Sequence, residues 1–296
     1  MTALMPRVFS LSQTKTSTKE SLLSKTPTYG LIKDSIDAKR LRAERECIQG
    51  LRSYSDKFNI KISESLLFRF ACFYDFDLKK AQSGIAHSRE NEHYLNLKMN
   101  NDPGLKEFFG RRILFPLPGI VKTKTGHNMK AIYFCPARFF AADPTHCRYV
   151  IESLQYVLND LSRSQQQSRT GVAVIINLAG HTNENFHRPT VAKFLGSLEG
   201  KFVPTTANLL IFVDAPPIFK PLMAFCKTVF SMNFAKKVHS IKSSKLSSFF
   251  MPGYEEYLPS ELPGGWRDIE DDVDDYVDLK SYEDEMKTRE EISWQE

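Results

Sequence analysis

The sequence predicts an α/β fold in which helical segments precede a mostly parallel sheet flanked by helices. Two unbroken apolar runs, "GVAVIINLAG" (171–180) and "LLIFV" (209–213), have the pattern of strands covered on both faces. A helical pattern over 190–202 separates them, and strands joined by a crossover of that length pair in parallel. Three consecutive helical patterns come before any strand signal.

The elements follow in chain order. Residues 1–30 hold 11 Ser/Thr and a single acid, Glu20. Their composition resembles an organelle transit peptide, yet Arg7 is their one arginine, so a disordered cytosolic tail is the favoured reading. Over 31–58, Ile32, Ile36, Ile48, Leu51, Tyr54 and Phe58 recur near helical spacing, with Lys39, Arg40, Arg42 and Arg45 on the outer face. "ESLLFRFACFYDFD" (64–77) is apolar nearly all round and predicts a helix buried among others, after which Asp77 is placed to cap a third helix over 78–95. "KAIYF" (130–134) is β-like. Asp143 followed by Pro144 predicts a helix start, because proline's missing N–H costs nothing in the first turn. Cys147, Val150, Ile151, Leu154, Val157, Leu158 and Leu161 then form one stripe.

After the second apolar strand come a greasy segment carrying one lysine (215–225), a basic run, "FAKKVHSIKSSK" (234–245), and a Pro/Gly-rich close, "YLPSELPGGW" (257–266). Residues 267–296 contain 13 acids and 4 bases, a net −9, so the rest of the chain carries +14 within the formal total of +5. No strong periodicity marks that acidic tail, which is expected to be a mobile appendage.

Charge and composition narrow the function classes. A basic body suits nucleic acid or an anionic membrane, and the absence of zinc-finger spacing or an aromatic Lys/Arg/Gly motif favours the membrane. Five widely spaced cysteines without a CxxC predict reduced thiols in a cytosol-like compartment. No apolar run reaches the roughly 18–20 residues of a membrane span. Catalytic signals are weak: no Gly-x-Ser-x-Gly is present, and "GSLEGK" (196–201) is one residue short of a phosphate loop and lacks its Ser/Thr. "HTNENFH" (181–187) offers His181, Glu184 and His187 without the fixed pairing of a zincin helix, and a hydrophilic loop explains it as well. Asp214, at a strand end, is either a functional carboxylate or an acid capping the turn before Pro216 and Pro217; the cap is preferred.

Three stretches resemble one family. "SLLFRFACFYDFDLKKA" is similar to the N-terminal helical motif of the CRAL-TRIO proteins, carriers of retinal, tocopherol and phospholipids. "VIINLAG" resembles their central strand, which usually ends Asp-x-x-Gly and here ends with Asn177 and Gly180. "FVPTTANLLIFVDAPPIFKPLMAFCKTVFSMNFAKKVHSI" and then "YLPSELPGG" resemble an aromatic-Pro turn, a strand ending Asn-x-Pro, a gate helix, a basic segment and a Leu-Pro-x-Glu-x-Gly-Gly close. The resemblance implies a helical lobe (31–98) on a lipid-binding α/β domain (111–265), flanked by the Ser/Thr-rich tail (1–30) and the acidic tail (267–296). It also implies a sheet that floors an apolar pocket under a mobile gate.

Site residues follow from the resemblance and from alternation. Val172, Val174 and Ile176 are expected on the pocket floor together with Ile211 and Val213, and Phe219, Leu222, Met223, Phe225 and Phe230 in the gate. A buried core helix is the plainer reading of the gate. Lys236, Lys237, Lys242 and Lys245 are expected at an anionic membrane or a lipid head group, or form a solvated face; the acidic tail is a candidate shield over them. Members that carry phosphatidylinositol use a cluster whose counterparts here are Phe194, Tyr74, Asp75 and Lys237, and the hydroxyl positions of phosphatidylcholine readers are Val172 and Val174. Only Lys237 retains the chemistry, so an apolar ligand is expected rather than a phospholipid head group in the pocket. The functional expectation is a non-enzymatic, monomeric, cytoplasmic carrier in peripheral contact with membranes, without cofactor, metal or nucleic acid. The alternatives are a scaffold that has lost its ligand and an enzyme built on Asp214 or the His181/His187 loop.

Overall fold

The computed structural model describes residues 28–88, 92–205, 207–217, 219 and 230–293. The chain divides into two compact units, Met1–Arg42 and Ala43–Glu296. Of the first, residues 28–42 are helical, as the opening of helix α1 (Thr28–Lys57). The second unit contains the sheet.

Its N-terminal part is helical because the sequence supplies both caps and a closed apolar face. Helix α2 (Glu64–Phe73) starts at Ser63, whose hydroxyl accepts from the Leu66 N–H. Helix α3 (Leu78–Ser88) starts after Asp77, whose Oδ1 accepts from the Lys80 N–H at 3.1 Å. Cys47, Leu51, Leu67, Phe70, Ala71, Ala81 and Ile85 bury one another between these helices. The expected single helix over 78–95 is described as α3 and a separate turn, α4 (Glu92–Leu95). Arg69, on the apolar helix, is 3% exposed and donates to neutral partners, Asn159 Oδ1 at 2.5 Å and Thr205 Oγ1 at 3.1 Å. Burial, and then the nearby Arg163, push its pKa down to about 10, so it stays charged and ties α2 to segments roughly 90 and 136 positions later in the chain.

Helix α5 (Pro103–Gly110), capped by Asp102, leads into strands β1 (Leu114–Pro116), β2 (Val121–Lys122) and β3 (Asn128–Phe134). Helix α6 (Pro144–Leu161) begins as the sequence predicts, with Asp143 Oδ1 accepting from the Thr145 N–H at 2.8 Å. Helix α7 (Gln165–Thr170), strand β4 (Val172–Asn177), helix α8 (Arg188–Leu198), strand β5 (Ala207–Val213) and strand β6 (Val238–Ile241) come next. Helix α8 starts at Arg188 rather than at 190, with proline in its first turn, and stops at Leu198 rather than at 202. Gly200 stops it, since φ is +85° and a Cβ there would meet Phe73 at 2.3 Å.

The sheet has the order β1-β3-β4-β5-β6, with β2 also on β3. Strands β3 to β6 are parallel, whereas β1 and β2 run antiparallel to β3. Every residue of β4 is buried, the consequence of a strand covered on both sides.

The acidic tail departs from expectation. Residues Ile269–Ser293 form a helix whose Ile269, Val273 and Val277 are buried at i, i+4 and i+8. Lys280 Nζ reaches Asp160 Oδ1 at 3.0 Å, and Asp284 accepts from the Met99 N–H at 2.7 Å, so the tail is packed as far as Asp284. Among the described residues no helix is long and apolar enough to cross a membrane.

Candidate functional site

Parallel register decides which side chains share a face. Phe134 lies beside Ile176, and Ile176 beside Phe212, so these three project together near the carboxyl ends of β3, β4 and β5. Tyr133, Ile175, Ile211 and His239 form the matching row on the opposite face. Alternation along the sequence joins Val172, Val174 and Ile176 to Ile211 and Val213. Register separates them, because Ile211 pairs with Ile175 and Val213 with Asn177, and a shift of one residue changes faces. The bulge between Val172 and Ala173 lies outside the reach of a two-residue alternation rule.

Above the Phe134–Ile176–Phe212 row, α6 contributes Val150 and α8 contributes Val191, Phe194 and Leu195. They line a small cavity of about 50 Å³. Phe194 stacks on Phe134 with ring centroids 4.6 Å apart. Phe219 closes toward the sheet, 5.1 Å from the Phe212 ring and edge-on to His181 at 6.3 Å. Ile176 and Phe219 are thus the two expected pocket residues on the wall, while Val172 and Val174 lie earlier on the Ile176 face and off the wall. Phe230 is buried, but against Phe234 (4.6 Å). Leu222, Met223 and Phe225 fall outside the described residues. Alternation along one strand could not reveal Phe134, Phe139, Phe186 and Phe194, which come from four separate segments.

Polar side chains reach this wall at three places. Asn185 donates through Nδ2 to the Phe139 carbonyl at 2.7 Å, and its Oδ1 accepts from the Thr182 N–H at 2.8 Å. Thr190 Oγ1 bonds His187 Nδ1 at 2.7 Å. His181 sits on the wall itself, where burial lowers its pKa and keeps the ring neutral at neutral pH.

The groups considered for chemistry are engaged elsewhere. His187 Nδ1 also lies 3.4 Å from Cys147 Sγ, whereas His181 faces Phe219, and among the described residues no cluster could hold a metal ion. Asp214 has φ +51°, a left-handed conformation that Asp and Asn tolerate better than most residues. Its Oδ1 accepts from the Ser243 N–H at 3.1 Å and its own N–H donates to the Ile241 carbonyl at 3.0 Å. The carboxylate therefore caps the chain leaving β6. Residues 196–201 are the end of α8 and its stop, with no cradle of phosphate-loop form.

Glu261, from the Pro/Gly-rich close, accepts from the Tyr133 hydroxyl at 2.5 Å and pairs with Arg138, while Asn177 Nδ2 donates to the same hydroxyl at 2.8 Å. Burial and then this carboxylate push the Tyr133 phenol far above its ordinary value, so it remains a neutral donor. That network pins the close to the sheet on the face away from the cavity.

The lysines lie apart from the cavity. Lys237 Nζ donates to Asn208 Oδ1 at 2.7 Å, and burial lowers its pKa. Lys236 and Lys237 line a second cleft with Leu209, Met129 and His239, residues of the Ile211 face, so the sheet stands between the two. Lys242 is exposed, 4.0 Å from Asp214, and Lys245 is exposed. Described acids of the C-terminal helix pair with Lys106, Arg112, Arg163 and Lys280.

Fold and site define a class: a parallel-sheet domain, preceded by a helical lobe, that encloses an apolar cavity at the carboxyl ends of its strands. Residues 110–264 match the CRAL/TRIO domain, and the chain belongs to that family. No curated protein matches the chain. Among 34 matching chains of solved structure, the crystal structure of Sfh5 covers 76% of this chain and 88% of its own length, with 12% identity and a TM-score of 0.50, a likeness of fold.

Proposed function

We propose that the protein is a carrier that binds a hydrophobic ligand in the cavity walled by Ile176, Phe212 and Phe219 and exchanges it with membranes. The cavity carries the reading: its described wall is built mostly of phenylalanine and aliphatic side chains, the apolar lining usual for small-molecule sites. An apolar chain gains about 0.8 kcal/mol per methylene there. A phosphate would lose several kcal/mol of hydration, and none of the described wall residues is a cation that could replace it. Binding and release need no covalent step, and the engagement of Asp214 and His187 in separate surroundings supports a carrier over an enzyme.

Membrane contact falls to Lys236, Lys242 and Lys245, which are exposed, with Lys237 behind them. Each would add about 1 kcal/mol near an anionic leaflet. The protein then works as a cytoplasmic monomer that docks peripherally and exchanges its ligand there.

Mass spectrometry of organic extracts of the purified protein is expected to return a lipid at near-stoichiometric yield. Transfer of that lipid between vesicles containing phosphatidylserine is expected to slow as salt rises from about 0.05 to about 0.5 M, where screening shortens the reach of the lysines. Blank extracts from several expression hosts would replace the carrier with a ligand-free scaffold.

A further inference from the structure

We infer that His181 Nδ1 is the polar reader of the cavity and that its ligand is an uncharged lipid ending in a single hydroxyl; this rests on the carrier reading. Of the polar side chains on the described wall, Asn185 spends Nδ2 on the Phe139 carbonyl and Oδ1 on Thr182, and Thr190 spends its hydroxyl on His187. His181 Nδ1 is buried and has no hydrogen-bond partner among the described residues. Such an orphan costs free energy unless something satisfies it, and the ring that bears it lines a cavity that is otherwise almost wholly apolar.

The chemistry of the partner follows from the imidazole. A neutral histidine presents Nδ1 as a donor in one tautomer and as an acceptor in the other. A hydroxyl serves either, whereas a carbonyl serves one. An ionised carboxylate or phosphate is disfavoured, because one neutral hydrogen bond does not replace the hydration of a full charge and none of the described wall residues is a cation. Phe219 meets the ring edge-on, with centroids 6.3 Å apart. The loop fixes the backbone too: the His181 N–H donates to the Leu178 carbonyl at 3.1 Å, and Gly180 before it takes φ +73°.

Equilibrium binding of three matched probes tests this: hexadecan-1-ol, hexadecane and hexadecanoate, each partitioned from phosphatidylcholine vesicles into the full chain, wild type and variants. The wild type is expected to prefer the alcohol over hexadecanoate. His181→Phe, which keeps the edge contact and removes both nitrogens, is expected to weaken the alcohol roughly five- to tenfold, the net worth of one hydrogen bond, with hexadecane unchanged. His181→Gln restores a donor and an acceptor and is expected to recover most of that loss, which also covers the case in which His181→Phe does not fold. Equal effects of His181→Phe on alcohol and hydrocarbon, no effect on either, or wild-type preference for hexadecanoate overturns the reader while leaving the carrier intact. Failure of the wild type to bind any probe overturns both.

Discussion

At the scale of single residues, Asp214 shows how an acid at a strand end takes a structural role. Two demands converge on it, a left-handed backbone and an acceptor for the Ser243 N–H. Asparagine meets both, since it tolerates φ +51° and retains an oxygen at the same place. Alanine meets neither. Asp214→Asn is therefore expected to leave stability within about 0.5 kcal/mol of wild type, and Asp214→Ala to lose about 1–3 kcal/mol from strain and the lost cap together. Chemical denaturation monitored by circular dichroism distinguishes them; an alanine variant as stable as the asparagine variant would remove the capping role. The same residue explains why a strand-end carboxylate reads ambiguously in sequence: nothing local announces that its partner lies 29 positions later.

Element by element, what could be read in the sequence was what local chemistry decides. The Asp143 cap with its proline, the Asp77 cap, and the buried runs that became β4 and β5 are each specified by residues within one turn or one strand. Features set by pairing across the fold were not legible. The face of Ile211 depends on register with β4, and the aromatic wall is assembled from segments as distant as Phe134 and Phe194. The acidic tail stands between these cases. Ile269, Val273 and Val277 do recur every fourth residue, yet the stripe is one residue wide among carboxylates, too narrow to stand out until Phe109 is seen 5.8 Å from Tyr276. Since that stripe is buried, Val273→Asp is expected to lower stability by about 2–4 kcal/mol, as an unpaired charge placed in an apolar contact does. The exposed Asp275→Asn is expected to stay within about 0.5 kcal/mol. A thermal melt that treats the two variants alike would return the tail to the status of an appendage.

Across the whole molecule, three histidines in different settings respond to burial in one direction. His181 on the cavity wall, His239 on the opposite sheet face and His146 on α6 all have pKa values lowered from 6.5, with burial as the first cause, joined at His146 by the Arg111 guanidinium. The sign comes from linkage. Below 6.5 the unfolded chain takes up these protons before the folded one does, so protonation favours unfolding. The stabilisation is complete above pH 6.5 and declines as pH falls from there through the folded values. Asp77 and Asp143, whose pKa values are lowered by backbone hydrogen bonds from Lys80 and Thr145, contribute in the same direction only further down, below their ordinary 3.8. The urea midpoint is therefore expected to fall already as pH drops from about 6.5 to about 5, above the carboxylate range, and the fall is expected to be shallower in His239→Gln, which removes one of the three groups. A midpoint that holds level to about pH 5 would mean that all three rings take up protons in the folded state as readily as in the unfolded one.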